Sequence, residues 1–175
     1  MITYRLTGAK VGLRSLSAAD AEGAYFDWLQ QSEVIAALSS QKWPISRSGL
    51  ADYIRANTDC AGVALFGICR LADDLLVGTV RLALLDAVAR VGGIGVMIGE
   101  RSVRGGGLAG EALSLAIRYG FDTLNLQKIC AGVASGNAAS LALFRRSMQV
   151  EGVRRRQVFA DGQFQDEHMF AVFRD

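Results

Sequence analysis

The chain has 175 residues, 51% of them apolar, and a formal net charge of +2. That is enough to bury a core as a single domain over 1–175, and too weakly basic to point to nucleic acid or a membrane surface as partner. Cys60, Cys69 and Cys130 are odd in number and form no CxxC pair, which argues against a disulfide framework or a metal site. With no apolar signal-peptide core at the start and no run near the roughly 20 residues needed to span a bilayer, the expected location is cytoplasmic.

Val11 to Leu16 reads as a short strand. Ser17 and Asp20 then resemble a capping box, opening a helix with apolar positions at Ala21, Tyr25, Trp28 and Leu29 that ends near Gln31. Trp43-Pro44 marks a break, and a second short helix is expected over Ser48 to Ala56. From Gly62 three apolar runs follow, joined by short polar turns at Ala72-Asp73-Asp74 and at Asp86, which predicts an antiparallel meander. The third run carries Gly92, Gly93, Gly95 and Gly99; such glycines relieve crowding, or mark a bulge or the close approach of another backbone. Leu113, Ala116, Ile117, Gly120 and Phe121 recur at helical spacing, and Lys128 to Ala134 is the next strand. Strand, crossover helix and strand form one right-handed βαβ unit with parallel strands. A helix over Asn137 to Ser147 precedes a closing hairpin turned at Asp161-Gly162. The fold class is α+β: a mixed sheet with an antiparallel meander, one βαβ unit and a C-terminal hairpin.

Between the third strand and its helix lies Arg104-Gly105-Gly106-Gly107-Leu108-Ala109. Three glycines at a helix entrance cost about 0.5–1 kcal/mol each relative to Ala, and a bound anion would offset that. Without Cβ atoms the amides can close on phosphate oxygens, and the helix dipole adds attraction. Gly105-x-Gly107-x-x-Gly110 also satisfies a dinucleotide fingerprint, but the preceding meander and the five residues between Gly99 and Gly105 do not suit a Rossmann unit. No Gly-Lys-Ser/Thr follows, which excludes a P-loop.

The loop resembles the (Gln/Arg)-x-x-Gly-x-(Gly/Ala) segment of the GNAT superfamily of acetyl-CoA-dependent N-acetyltransferases. The order of elements, Glu111-Ala112 inside the helix, and Asn137-x-x-Ser140-x-x-Leu143-Phe144 extend that likeness. The resemblance implies a GNAT-like sheet whose parallel strands splay. Amides of Arg104, Gly105, Gly106, Gly107, Leu108 and Ala109 would hold the coenzyme A pyrophosphate, and the glycine-bearing strand would pair with the pantetheine arm. A free amide near Met97 or Ile98 would polarise the thioester carbonyl as an amine attacks directly. Asn137 would bind the pantetheine amides or cap its helix, Ser140 and Phe144 would line the thioester, and Arg146, with Arg145, would reach coenzyme phosphates or stay solvated. No metal is implied.

Proton transfer is less clearly written. Many relatives place a Tyr where this chain has Phe144, which cannot donate. Ser140, one turn earlier, is a candidate acid for the departing thiolate, with a hydrogen bond to backbone or cofactor as its ordinary role. Glu111 and Glu33 are candidate bases; their ordinary roles are orientation of the loop and surface solvation. His168 shares a strand face with Phe164, Asp166 and Phe170 and reads as structural. In Arg154-Arg155-Arg156, strand alternation sends the outer two to one face and the middle one to the other.

Trp28-Leu29-Gln30-Gln31-Ser32-Glu33-Val34 and the tail Asp161-Gly162-x-Phe164-x-Asp166 resemble a branch that acetylates ribosomal-protein N-termini, polyamines and nucleotide-linked amino sugars. Within that resemblance the expected acceptor is a small-molecule amine such as a nucleotide-linked amino sugar, which suits the scattered arginines. A peptide N-terminus is an alternative. A polyamine would want clustered carboxylates, with Asp20, Glu22, Asp27 and Glu33 as candidates. A non-catalytic acetyl-CoA-binding module is the alternative of another class, and exposed strands would allow a homodimer.

Overall fold

The computed structural model describes residues 2–38, 43–58, 60–160 and 162–174. Its strands are β1 (Leu6–Thr7), β2 (Val11–Ser15), β3 (Val63–Arg70), β4 (Leu75–Asp86), β5 (Val91–Ile98), β6 (Lys128–Ala134), β7 (Gln149–Ala160) and β8 (Gln163–Phe173). The helices are α1 (Ala24–Trp28), α2 (Ser32–Ala37), α3 (Arg47–Thr58), α4 (Leu108–Asp122) and α5 (Ala138–Arg145). The described strands form one sheet in the order β1-β2-β3-β4-β5-β6-β8-β7. Every neighbouring pair is antiparallel except β5 and β6. The architecture is therefore the expected α+β mixed sheet, with meander, βαβ unit and hairpin in place. None of the described helices is long and apolar enough to cross a membrane.

Alternation gives the sheet two apolar faces. One packs Leu82, Ile94, Ile129 and Phe170 against Leu113 and Ala116 of α4 and Phe144 of α5. The other packs Leu16 and Leu65 against Tyr25 and Trp28 of α1 and Leu50 and Ile54 of α3. Each fully buried side chain of this size contributes about 1.5–3 kcal/mol. The end of β5 is held under the second layer at Gly99, where any Cβ would fall inside the Trp28 ring.

The helix expected from Ser17 to Gln31 is broken. A 3-10 turn over Ala18–Glu22 ends at Gly23, whose backbone is extended, and α1 and α2 follow as separate short helices. Asp20 fixes this start: its carboxylate accepts from the Ser17 amide at 2.7 Å and pairs with Arg14 of β2 at 2.6 Å. The strand alternation expected for the three arginines also fails. A bulge shifts the β7–β8 register between Arg154 and Val158, and Arg156 sits at φ 49°. At the hairpin turn, Asp161 lies outside the described residues, and Gly162 takes φ 76°, a conformation suited to glycine.

Burial pushes the Asp20 carboxyl upward, but the bonds from Arg14 and the Ser17 amide outweigh it and hold it below the usual carboxylate range. A depressed folded-state value adds stability above the unfolded pKa and loses it as pH falls through the folded one. Asp20→Asn should lower the thermal midpoint at neutral pH by an amount equivalent to about 1 kcal/mol, the pair being partly solvated. That gap should close below about pH 4, and thermal melts of both proteins across pH 2–7 check it.

Candidate active site

The site begins where the sheet opens. The parallel pair β5–β6 is in register only at Val91, Gly92 and Gly93, opposite Lys128, Ile129 and Cys130, after which the strands part. Cys130 Sγ donates to the Gly92 carbonyl at 3.3 Å and Arg104 Nε to the Ile98 carbonyl at 3.4 Å, whereas the Gly99 amide donates to Val77 of β4. Alternation between these points turns the polar groups of Ile94, Val96 and Ile98 into the opening and those of Met97 towards β4. Of the two expected amides, the geometry therefore favours Ile98; Met97 contributes its side chain to the lining. Gly95, whose polar groups turn to β4 like those of Met97, lines the cleft over the sheet, and a Cβ there would meet nothing within 4 Å. Crowding inside the protein does not explain this glycine.

The glycine loop forms a cradle at the start of α4. Gly105 and Gly107 lie at φ 81° and 82°, where a side chain is strained, and Gly107 is the N-cap. The amides of Leu108, Ala109 and Gly110 belong to the first helical turn and have no carbonyl within the helix to bond. Lys10, from the β1–β2 turn, places Nζ 3.2 Å from the Gly106 carbonyl, adding a positive charge beside these amides. Sequence reasoning misses Lys10, which stands 96 positions away and belongs to no motif.

Glu111 explains how that lysine arrives. Its carboxylate accepts from the Ala9 amide and, at 3.0 and 3.2 Å, from the Lys10 amide, so it ties the turn to α4. It does not line the opening, and its carboxylate is engaged by backbone; the base role expected for it gives way to a positioning one. Glu33 is displaced from that role too. Its Oε1 lies 2.7 Å from both Arg101 Nε and Arg104 Nη1. Bonds from these two guanidiniums hold its carboxyl below the usual range, which makes it a weaker proton acceptor.

A cleft of about 470 Å³ runs through the opening. On the α5 side it is lined by Asn137, Ser140 and Phe144. Asn137 Oδ1 caps α5 by accepting from the Ser140 amide at 3.0 Å, while the Ser140 hydroxyl has no hydrogen-bond partner among the described residues. Phe144 is buried and stacked on Phe170 at 5.9 Å. Arg145 and Arg146 are exposed at the end of α5 and do not line the cleft.

The opposite side offers Tyr25, Tyr53, Thr79 and Arg81. Burial pushes the Tyr25 and Tyr53 phenols up, so they remain protonated donors at neutral pH. Burial likewise raises the Cys130 thiol, leaving no thiolate nucleophile there. The β8 strand sends Glu167 into the cleft and turns the half-buried His168 to the face shared with Phe170. Nothing in the sequence separates Glu167 from its polar neighbours; only the register of β8 against β6 does.

The four acids considered for a polycation are dispersed among arginines. Asp20 pairs with Arg14, Glu22 and Asp27 with Arg47, and Glu33 with Arg101 and Arg104. None of the four lines the cleft.

The profile of the acetyltransferase (GNAT) domain family matches residues 10–147, and the chain belongs to that family of acetyl-CoA-dependent N-acetyltransferases. It is similar to a probable N-acetyltransferase of Bacillus subtilis, YjcK, at 31% identity over 109 residues, 61% of this chain and 60% of the relative. The match thus spans less than two thirds of that relative's length. The fold superposes on a spermidine N-acetyltransferase from Vibrio cholerae solved with CoA and spermine, with TM-score 0.85 and 21% identity over 95% of this chain and 96% of the other. It superposes equally on RimL, a ribosomal L7/L12 α-N-protein acetyltransferase solved with coenzyme A, with TM-score 0.84 and 15% identity over 95% of each chain.

Two variants test the opening and the cradle. Gly95→Val fills open space with a good strand former, so the thermal midpoint should hold or rise while coenzyme A binding by calorimetry weakens at least tenfold. Lys10→Ala should weaken binding of coenzyme A several-fold at low salt, and the wild type's advantage should shrink at high salt.

Proposed function

We propose that the chain works as a single-domain acetyl-CoA-dependent N-acetyltransferase whose acceptor is a small primary amine carrying an anionic group, most specifically a nucleotide-linked amino sugar. The observation behind this reading is the charge of the cleft lining, where Arg81 and Arg154 stand against the single carboxylate of Glu167 among the described residues. Arg81 Nε donates to Asn57 Oδ1 at 3.0 Å and makes no salt bridge within the described residues. A part-buried guanidinium without a carboxylate suits a substrate phosphate or carboxylate. A polyamine would meet net positive charge there, and the acids that might have drawn it are paired elsewhere. A peptide N-terminus fits the lining less well, because it brings no anion for Arg81.

Acetyl-CoA would supply the acetyl group as a thioester. Around the opening the residues take separate tasks. The cradle of Gly105 to Ala109, with Lys10 beside it, holds the phosphates, and the open edge of β5 orients the arm that follows. The Ile98 amide donates to the oxygen that gains charge during attack. The unpartnered Ser140 hydroxyl protonates the departing sulfur, a task Phe144 cannot perform. A homodimer would form most readily along the β7–β8 hairpin, where Val150, Val153 and Phe159 are exposed.

The test follows thiol release from acetyl-CoA with UDP-linked glucosamine, spermidine and a peptide with a free N-terminal alanine. Release with the nucleotide sugar and not with spermidine is expected. Ser140→Ala should slow turnover about 100-fold with coenzyme binding retained, and an unchanged rate removes Ser140 as donor. Arg81→Ala should raise KM for the nucleotide sugar about tenfold. Coenzyme binding without release for any acceptor would favour the non-catalytic module.

A further inference from the structure

With Glu111 tied to backbone and Glu33 held by two arginines, the proposed reaction lacks a group to receive the amine. We infer that Glu167 fills this place: it binds the acceptor's ammonium and takes its proton. This rests on the reading of the cleft as an amine acetylation site.

Three observations converge on this side chain. First, it is the one carboxylate lining the cleft among the described residues, in the same opening as Gly95 and Ser140. Second, it is 13% exposed, yet its only hydrogen-bond partner among the described residues is Arg154 Nη1 at 3.5 Å, the outer limit of such a bond. Most of its acceptor positions are therefore open to a donor that enters the cleft. Third, the strand beneath it is shaped around it. Glu167 stands opposite Ala134, and its Oε1 overlaps the place a Cβ would take at Gly132. Gly132 thus lets the carboxylate lie flat against β6, at the acceptor side of the gap between β5 and β6.

The pair with Arg154 does not account for this arrangement. Arg154 is 59% exposed and reaches in from the outer strand β7 with a single nitrogen, so it keeps its own access to water. An ammonium with three donors would replace that long contact with a short, charge-assisted one. Proton transfer then breaks an ammonium N–H bond in favour of Glu167 Oε. The freed nitrogen pair forms the bond to the acetyl carbon, the carbon–sulfur bond breaks with its electrons leaving on sulfur, and the second proton that nitrogen must lose passes by way of the Ser140 hydroxyl to that sulfur, giving the amide and the free thiol. Arg81, already in the lining, would hold the acceptor's anionic end, so the two side chains orient it between them.

The experiment compares the wild type with Glu167→Gln and Gly132→Ala, using UDP-linked glucosamine, spermidine and the alanine-leading peptide as ammonium acceptors and hydroxylamine as a nucleophile uncharged at neutral pH. Glu167→Gln should lower kcat/KM more than tenfold for every ammonium acceptor the wild type uses, while hydroxylamine turnover stays within about threefold. Titration of the same acceptors into the coenzyme A-loaded protein should show the matching loss of acceptor affinity with coenzyme affinity unchanged. Gly132→Ala keeps the carboxylate but displaces it, and should fall in the same direction should the first variant fold poorly. A loss under tenfold for an acetylated amine, or an equal loss with hydroxylamine, overturns the assignment. If the wild type acetylates no acceptor, the proposed function falls and this inference with it.

Discussion

Two parallel strands that share only three residue pairs leave a row of backbone donors and acceptors facing no strand at all. Buried backbone groups need partners, so such an opening persists only where its neighbours hold it and something else can use its edge. Here β4 supports β5 along its full length, and β8 does the same for β6. The gap is thus framed by two complete antiparallel ladders. The Arg104 side chain closes its far end by donating to the carbonyls of Ile98 and Gly99, so a residue of the glycine loop also braces the strand before it.

Charge is distributed to suit that frame. Outside the cleft, arginines and acids pair locally and mostly at the surface, where each pair contributes little to stability. Inside it, Arg81 and Glu167 have few partners of their own. The contrast matters because a side chain already satisfied by the protein has little left for a ligand. Glu111 shows the reverse arrangement: acidic, at a helix start, and fully committed to the turn that carries Lys10.

Much of the fold was legible. Apolar runs joined by short polar turns gave the meander, the break at Trp43-Pro44 and helical spacing further on bounded α3, α4 and α5 to within a few residues, and the run of glycines marked the loop before α4. The first helical region was misread because the apolar positions of Ala21, Tyr25 and Trp28 continue across Gly23, although the backbone there is extended. Periodicity reports which side of a segment is buried, not whether the segment is continuous. The arginine run was misread for a related reason, since a bulge resets alternation without a mark in the residues it affects.

By itself the sequence determined the order of the elements and the family, and it marked the glycine loop before α4, because these depend on local period and on glycines whose conformation few other residues can adopt. Only the tertiary structure decided which acids are free to act. Lys10 meets Gly106 across 96 positions, Glu33 meets Arg104 across 71, and Glu167 enters the cleft through its register against β6. A side chain's availability depends on which partners the fold has already brought to it, and partners so distant in the chain leave no local pattern to read.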